Sequence, residues 1–382
     1  MTFINDVAKH YNTHTMVEVV GLPVHDKETV IHVQKPDRDS AKHMHHSENL
    51  VAPTHPSATT EALENMLFQS LASGRIPGKW LYHSPEQANR WLEYHRAWSP
   101  SRTEDDLLAL YQAAFDMTAQ NLTEPSVQVI GLGCGGGQKD RLLLQTISSA
   151  RNDSALAYLP LDVSPTLVEE TARITREALP SLSSFPLAID LEATPDLLNL
   201  LPANNTSGTT RVFTCFGMLP NFPHNTFPSY LAGLLGPNDH LLISANLSPG
   251  AGWPEDASLI LPQYDNSHAH HWYKGALEML GAPSEAFQMK IEGESLSPSG
   301  DIWRVVVKAT ATTPIQLRLS NHSFDWLPEN ALEIFFSNRF SSQAIPELFE
   351  SAGLEVLHSW IHSTGEEGIY LCGKPQTGDN FM

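Results

Sequence analysis

Short apolar runs separated by amphipathic stretches set the rhythm of this chain. Residues 127–132, 155–161, 185–189, 211–216 and 240–245 each read as a buried strand bounded by turn residues. Helical patterns lie between most of them. Another helical stretch precedes the first strand, opening on Glu104-Asp105-Asp106, acidic residues suited to a helix N-terminus. Such alternation predicts a parallel sheet covered by helices on both faces, an α/β fold of Rossmann-like type. From about 247 to 340 the period changes: 287–296, 302–307 and 314–319 alternate as strands joined by turns, which predicts a small antiparallel sheet. A helix over 342–352 and strands over 354–360 and 368–372 then close the main sheet. The expected division is an extension and linker over 1–60, a core made of 61–246 and 341–378, and an inserted α+β subdomain over 247–340.

Composition narrows the function classes. The 382 residues are 41% hydrophobic, with no run of apolar residues long enough to suggest a membrane span. A formal net charge of −20 without a basic cluster disfavours nucleic acid and anionic membrane surfaces as partners. The first residues lack the pattern of a secretory signal, and three scattered cysteines (Cys134, Cys215, Cys372) fit reduced thiols, so a cytoplasmic protein with a small-molecule substrate is expected. The polar stretch 35–60 carries His43, His45 and His46; a solvated linker accounts for them, and no metal site is expected.

The chemistry concentrates after the first strand. Val129-Ile-Gly131-Leu-Gly133-Cys-Gly135-Gly-Gly137 places glycines between a strand and a helix, where positive φ and close backbone approach to a nucleotide-class ligand are needed. The second strand ends in Asp162, a carboxylate placed to accept hydrogen bonds from ribose hydroxyls. The third ends in Asp190-Leu191, with Asp190 able either to meet an adenine amino group or to cap a helix. S-adenosylmethionine (SAM)-dependent transferases and nicotinamide-dependent oxidoreductases both fit so far. The helix–strand–strand closure favours methyl transfer, which relies chiefly on positioning the nucleophile.

In their shared order, several segments resemble the histidine-specific SAM-dependent methyltransferase family. Its best-known members trimethylate the α-amine of histidine, and fungal relatives methylate a prenylated tryptophan. Ile76-Pro-Gly-Lys-Trp-Leu-Tyr82 is similar to the family's Pro-x-Lys-Trp/Tyr-Phe-Tyr, and Pro100-Ser-Arg-Thr-Glu104 to its Pro-Thr-Arg-x-Glu. Gly131 to Arg141 resembles Glu-Leu-Gly-Ser-Gly-(Thr/Ser)-Ser-x-Lys-Thr-Arg, and Tyr158 to Ser164 resembles Tyr-x-Pro-x-Asp-Val-Ser. Phe216-Gly-Met-Leu-Pro-Asn221-Phe is similar to Gly-Ser-x-Ile-Gly-Asn-Phe. Tyr264-Asp-Asn is similar to Tyr-(Asn/Asp)-Asp, and Asn338-Arg-Phe-Ser341 to Cys-(Lys/Arg)-(Phe/Tyr)-(Ser/Thr).

The resemblance implies a seven-stranded class I methyltransferase core that takes SAM, with Gly131, Gly133, Gly135, Lys139, Asp162, Asp190 and Leu191 at the cofactor. It implies further that Asn221 orients the substrate amine, that Tyr82 lies near the nucleophile, and that Tyr264, Phe335 and Ser337 line the substrate. As alternatives, Asn221 caps a turn and Tyr82 is a core aromatic. Three departures bear on these roles. Gly131 stands where the family carries an acid, so one cofactor contact is missing or supplied elsewhere. Ser99, beside Trp98, stands where a tyrosine is expected, and Phe335-Phe336-Ser337 replaces the Glu-x-Ser that clamps imidazole. An imidazole facing Phe335 would leave a donor unpaired at a cost on the order of 1–3 kcal/mol, and Glu333 is one pleat repeat away. An aromatic or apolar amine or amino acid is therefore expected over histidine. Tyr264, His268, His270, His271 and Trp272 either line its pocket or form a core-packed helix face with solvated histidines. A non-catalytic protein that kept the fold is the remaining alternative.

Overall fold

The computed structural model describes residues 51–99, 104–151, 155–201, 208–320, 322–328 and 330–375; the histidines at 43, 45 and 46 and the segment 100–103 lie outside them. Among the described residues, three α-helices precede the first strand of the main sheet: α1 (Thr60–Leu71), α2 (Pro85–Trp98) and α3 (Asp105–Asn121). Thr59 and Ser84 cap the first two, each side chain accepting from a backbone N–H in the first turn, and Pro85 occupies a position whose N–H would be unused. Asp105 and Asp106 favour the start of α3 through the helix dipole.

Strands and helices then alternate as β1 (Ser126–Leu132), α4 (Gln138–Ala150), β2 (Ala155–Asp162), α5 (Pro165–Ala178), β3 (Ser183–Ser184), β4 (Leu187–Ala188), β5 (Thr209–Cys215), α6 (Phe227–Leu234) and β6 (His240–Asn246). β1 is buried on both faces from Val127 onward, the pattern of a strand central to a parallel sheet. The expected single strand at 185–189 is instead two short pieces, β3 and β4, both paired in parallel with β2 at one edge position. Pro186 lies between them and has no N–H for the ladder, which accounts for the break.

The inserted part contributes α7 (Ser267–Glu278), β7 (Phe287–Ser295), β8 (Ile302–Ala311), β9 (Ile315–Leu319), β10 (His322–Trp326) and β11 (Ala331–Phe340). β7, β8 and β11 form an antiparallel sheet in the order β11-β8-β7, while β9 and β10 make a separate hairpin. The chain returns through α8 (Ala344–Ser351), β12 (Glu355–Ile361) and β13 (Glu367–Gly373). The main sheet runs β12-β13-β6-β5-β1-β2-β3, with β4 beside β2; β13 pairs antiparallel with both β12 and β6, and the other pairs are parallel. This is the Rossmann-like order of class I methyltransferases. Among the described residues no helix is long and apolar enough to cross a membrane.

Two apolar clusters matter for the site. One lies within the main sheet and its helices. The other joins Leu67 and Leu71 of α1 and Trp80 and Leu81 of the following turn to Trp272, Tyr273, Trp303 and Phe335 of the inserted part. The segment 67–81, grouped with the core by sequence, thus shares its apolar packing with the subdomain. Trp272 is pivotal there: fully buried, it donates from Nε1 to Leu81 O at 2.8 Å and touches the Tyr82 and Phe335 rings at 5.4 Å each. We expect Trp272→Ala to lower stability by about 3–5 kcal/mol. Urea unfolding checks this, and a loss below about 1 kcal/mol would show that the segment packs independently of α7.

Candidate active site

The parallel strands diverge in connection on either side of β1, and the crevice at their carboxyl ends is where such sheets place ligands. There the chain turns through five residues before α4. Gly133, Gly135 and Gly137 adopt φ of +62°, +53° and +66°, values at which a side chain would clash with its own backbone. Neighbours add a second constraint. A Cβ on Gly133 would lie 1.6 Å from Met218 Sδ, and one on Gly135 would lie 2.8 Å from the Trp91 ring. Met218, after β5, and Trp91, on α2, therefore rest directly on the loop; periodicity singled out neither.

Asp162 ends β2 and anchors the loop. Its Oδ2 accepts from Gly135 N–H and its Oδ1 from Ser164 N–H, each at 3.0 Å. Burial raises its pKa to about 6 against the opposing effect of these amides. Each carboxylate oxygen keeps a further lone pair, the acceptor capacity that ribose hydroxyls require. Among the described residues Ser164 Oγ is buried here without a hydrogen-bond partner. A glycine loop, a buried carboxylate and an unpaired hydroxyl at one strand edge fit SAM.

The other expected cofactor residues have local partners. Asp190 Oδ2 accepts from Lys79 Nζ at 2.6 Å, and its Oδ1 from Glu192 N–H at 3.0 Å. Lys79 belongs to the segment after α1, so this buried ion pair fixes that segment against the end of the third strand. Leu191 is packed in the main apolar cluster. Lys139 Nζ donates to Tyr111 Oη at 2.6 Å and approaches Glu367 at 3.4 Å, tying α4 to α3 and β13. Gly131 is buried beneath the loop.

Tyr82 follows a 3₁₀ turn held by α7, with its ring 5.7 Å from Trp91 and 5.4 Å from Trp272. Tyr264 donates from its hydroxyl to Ser337 Oγ at 2.8 Å and accepts from Arg339 Nη2 at 3.0 Å. Phe335 contacts Tyr264, Trp272 and Tyr273 at ring distances of 6.2, 5.4 and 5.8 Å, so aromatic carbon surrounds it. Tyr82, Tyr264, Phe335 and Ser337 thus belong to one cluster, joined by Tyr94, Tyr273 and Arg339. The turn ending at Asn221 packs against β11. Burial pushes the hydroxyls of Tyr82 and Tyr94 far above the ordinary phenol range, and the charge of Asp162 adds to the effect at Tyr82. Both stay protonated at neutral pH and act as hydrogen-bond donors, not bases.

His268 and His271 are exposed along an outer hollow with Arg90, Glu93 and Ser267, while Trp272 belongs to the core. The core-packed reading of this helix is the one observed. Gly133→Ala should weaken S-adenosylhomocysteine (SAH) binding at least about tenfold, because its side chain needs both a strained φ and the space of Met218. Calorimetry would measure it; unchanged affinity would mean that the loop lies outside the cofactor site.

No curated protein matches the sequence. Among solved structures, a SAM-dependent methyltransferase from Clostridium acetobutylicum ATCC 824 matches with 10% identity and TM-score 0.40, covering 75% of this chain and 98% of that one. The magnesium protoporphyrin IX methyltransferase ChlM from Synechocystis PCC 6803, with bound SAH, matches with 12% identity and TM-score 0.38 over 77% and 97%. The glycopeptide N-methyltransferase MtfA matches with 10% identity and TM-score 0.32 over 70% and 89%. The model of the family described as histidine-specific methyltransferase, SAM-dependent, matches residues 63–374. The cofactor class left open by the glycine loop is therefore SAM, and the chain belongs to the histidine-specific SAM-dependent methyltransferase family.

Proposed function

We propose that this enzyme methylates the nitrogen of a small amine or amino acid of aromatic or apolar character, in the cytoplasm, without nucleic acid or membrane as a partner. The observation that carries the reading is the wall around Phe335: Tyr264, Trp272 and Tyr273 surround the position where an imidazole would need a carboxylate. A flat apolar group suits that wall, whereas a charged or strongly hydrogen-bonding ring would be desolvated without compensation. The unpaired cysteines, all at least partly buried, are consistent with a reducing compartment.

SAM supplies an electrophilic methyl group on a sulfonium. The nucleophilic nitrogen must be neutral, and an aromatic enclosure favours that state by making an ammonium costly. Asn221 offers Oδ1, a buried acceptor with no partner in the protein, to an amine N–H and so directs the nitrogen lone pair. Tyr82 adds a hydroxyl donor, and Tyr82 and Tyr264 exclude water. After transfer the product nitrogen carries a positive charge until one of its own protons is lost. The proton then leaves to solvent without a dedicated base.

Mass spectrometry of products from SAM and a panel of histidine, tryptophan and simple aromatic amines tests the reading. An aromatic acceptor should exceed histidine in kcat/KM by about tenfold or more, and Phe335→Glu should narrow that gap. Asn221→Ala should lower kcat/KM by roughly a hundredfold with SAH affinity unchanged. Preference for histidine by the wild type, or full activity of Asn221→Ala, would overturn the assignment.

A further inference from the structure

The acid missing from position 131 has a counterpart in space. A Cβ added to Gly131 would lie 2.7 Å from Asp140 Oδ2 and 3.0 Å from the Tyr158 hydroxyl. Asp140, in the first turn of α4, thus reaches back over the end of β1 and puts its carboxylate where a side chain at 131 would emerge. The family pattern has an acid at the position of Gly131 and threonine at that of Asp140; this chain has glycine and aspartate. An acid at 131 and Asp140 could not share the space.

Asp140 is also held as a functional acid would be. It is 3% exposed. Its Oδ2 accepts from Tyr158 Oη at 2.6 Å and its Oδ1 from Thr214 Oγ1 at 2.7 Å. These donors come from β2 and β5, the two strands that flank β1 at the crevice. Among the described residues no cation forms an ion pair with it: the adjacent Lys139 is turned to Tyr111 and Glu367. A buried carboxylate beside the glycine loop, with hydroxyl donors, lone pairs to spare and only the more distant charge of Lys139 acting on it, is suited to a positive group brought by the ligand. SAM and SAH each carry an ammonium on the methionine-derived end.

We propose that Asp140 replaces the acid absent at 131 and holds the ammonium end of the bound cofactor, so that Gly131 and Asp140 are one exchange, not two departures. The inference rests on the cofactor and not on the identity of the acceptor, so it stands or falls separately from the substrate assignment.

Calorimetric titration of two probes tests it: SAH, and 5′-methylthioadenosine, which has the nucleoside and sulfur but no amino-acid end. Asp140→Asn keeps the size of the side chain, and the Tyr158 and Thr214 hydroxyls can rotate to suit an amide. It should unfold at a temperature no lower than the wild type, lose about tenfold or more in SAH affinity, and bind methylthioadenosine within about twofold of the wild type. Gly131→Glu alone should lose SAH binding, and Gly131→Glu with Asp140→Thr should recover it to within about threefold of the wild type. Wild-type SAH affinity in Asp140→Asn would overturn the proposal. So would equal weakening of both probes, which would make Asp140 a shaper of the loop, and so would a double variant that folds cooperatively yet binds SAH no better than Gly131→Glu.

Discussion

The carboxylate of Asp162 joins the loop after β1 to the turn before α5, and the geometry of the site follows from that junction. Two amide donors, from Gly135 and Ser164, offset part of the burial of the charge. Three glycines at positive φ would otherwise have no reason to prefer one backbone path, since glycine loses more freedom on ordering than any other residue. Once the loop is set, Trp91 and Met218 can rest on it at contact distance. Trp91 then meets the edge of Tyr82, and Tyr82 meets Trp272. A chain of contacts thereby runs from the glycine loop to the aromatic wall around Phe335, and each member owes its place to the one before.

β11 performs the corresponding task for the inserted part. Its pleat sends alternate residues to opposite faces. Phe335 and Ser337 meet Tyr264, and Arg339 follows on the same side. On the other side Asn338 donates to the carbonyl of Phe222, next to Asn221, at 2.8 Å. One strand therefore sets both the aromatic wall and the turn that carries the buried acceptor. Its C-terminal end joins the main sheet through a bridge between Phe340 and Leu247, which couples the two layers mechanically.

The electrostatics of the site contrast with the acidic whole. The chain carries a formal charge of −20, yet its cations near the crevice are all committed to internal contacts. Lys79 pairs with Asp190 and Glu192, Lys139 with Tyr111 and Glu367, and Arg339 with the neutral oxygens of Leu247, Gln263 and Tyr264. Asp140 and Asp162, by contrast, are buried without such partners, and burial lifts both to about 6. A crevice with acids to spare and cations in use favours a cofactor whose reactive end is positive.

The sequence by itself determined the features that local rules govern. Apolar runs of strand length, glycines where φ must be positive, Asp162 at a strand end and the change of period after residue 246 all act within a few residues of themselves, so they are legible in one dimension. The order of motifs was enough to place the chain in its family. Tertiary structure alone decided what depends on distant residues meeting. It packed the segment 67–81 against α7 and set Met218 and Trp91 on the glycines. It also brought Tyr94, Tyr273 and Arg339 to the aromatic cluster and placed the Asp140 carboxylate over Gly131. No periodicity marks these residues, because their roles arise from side chains converging across strands and helices far apart in sequence, and only the packed chain brings those side chains within reach.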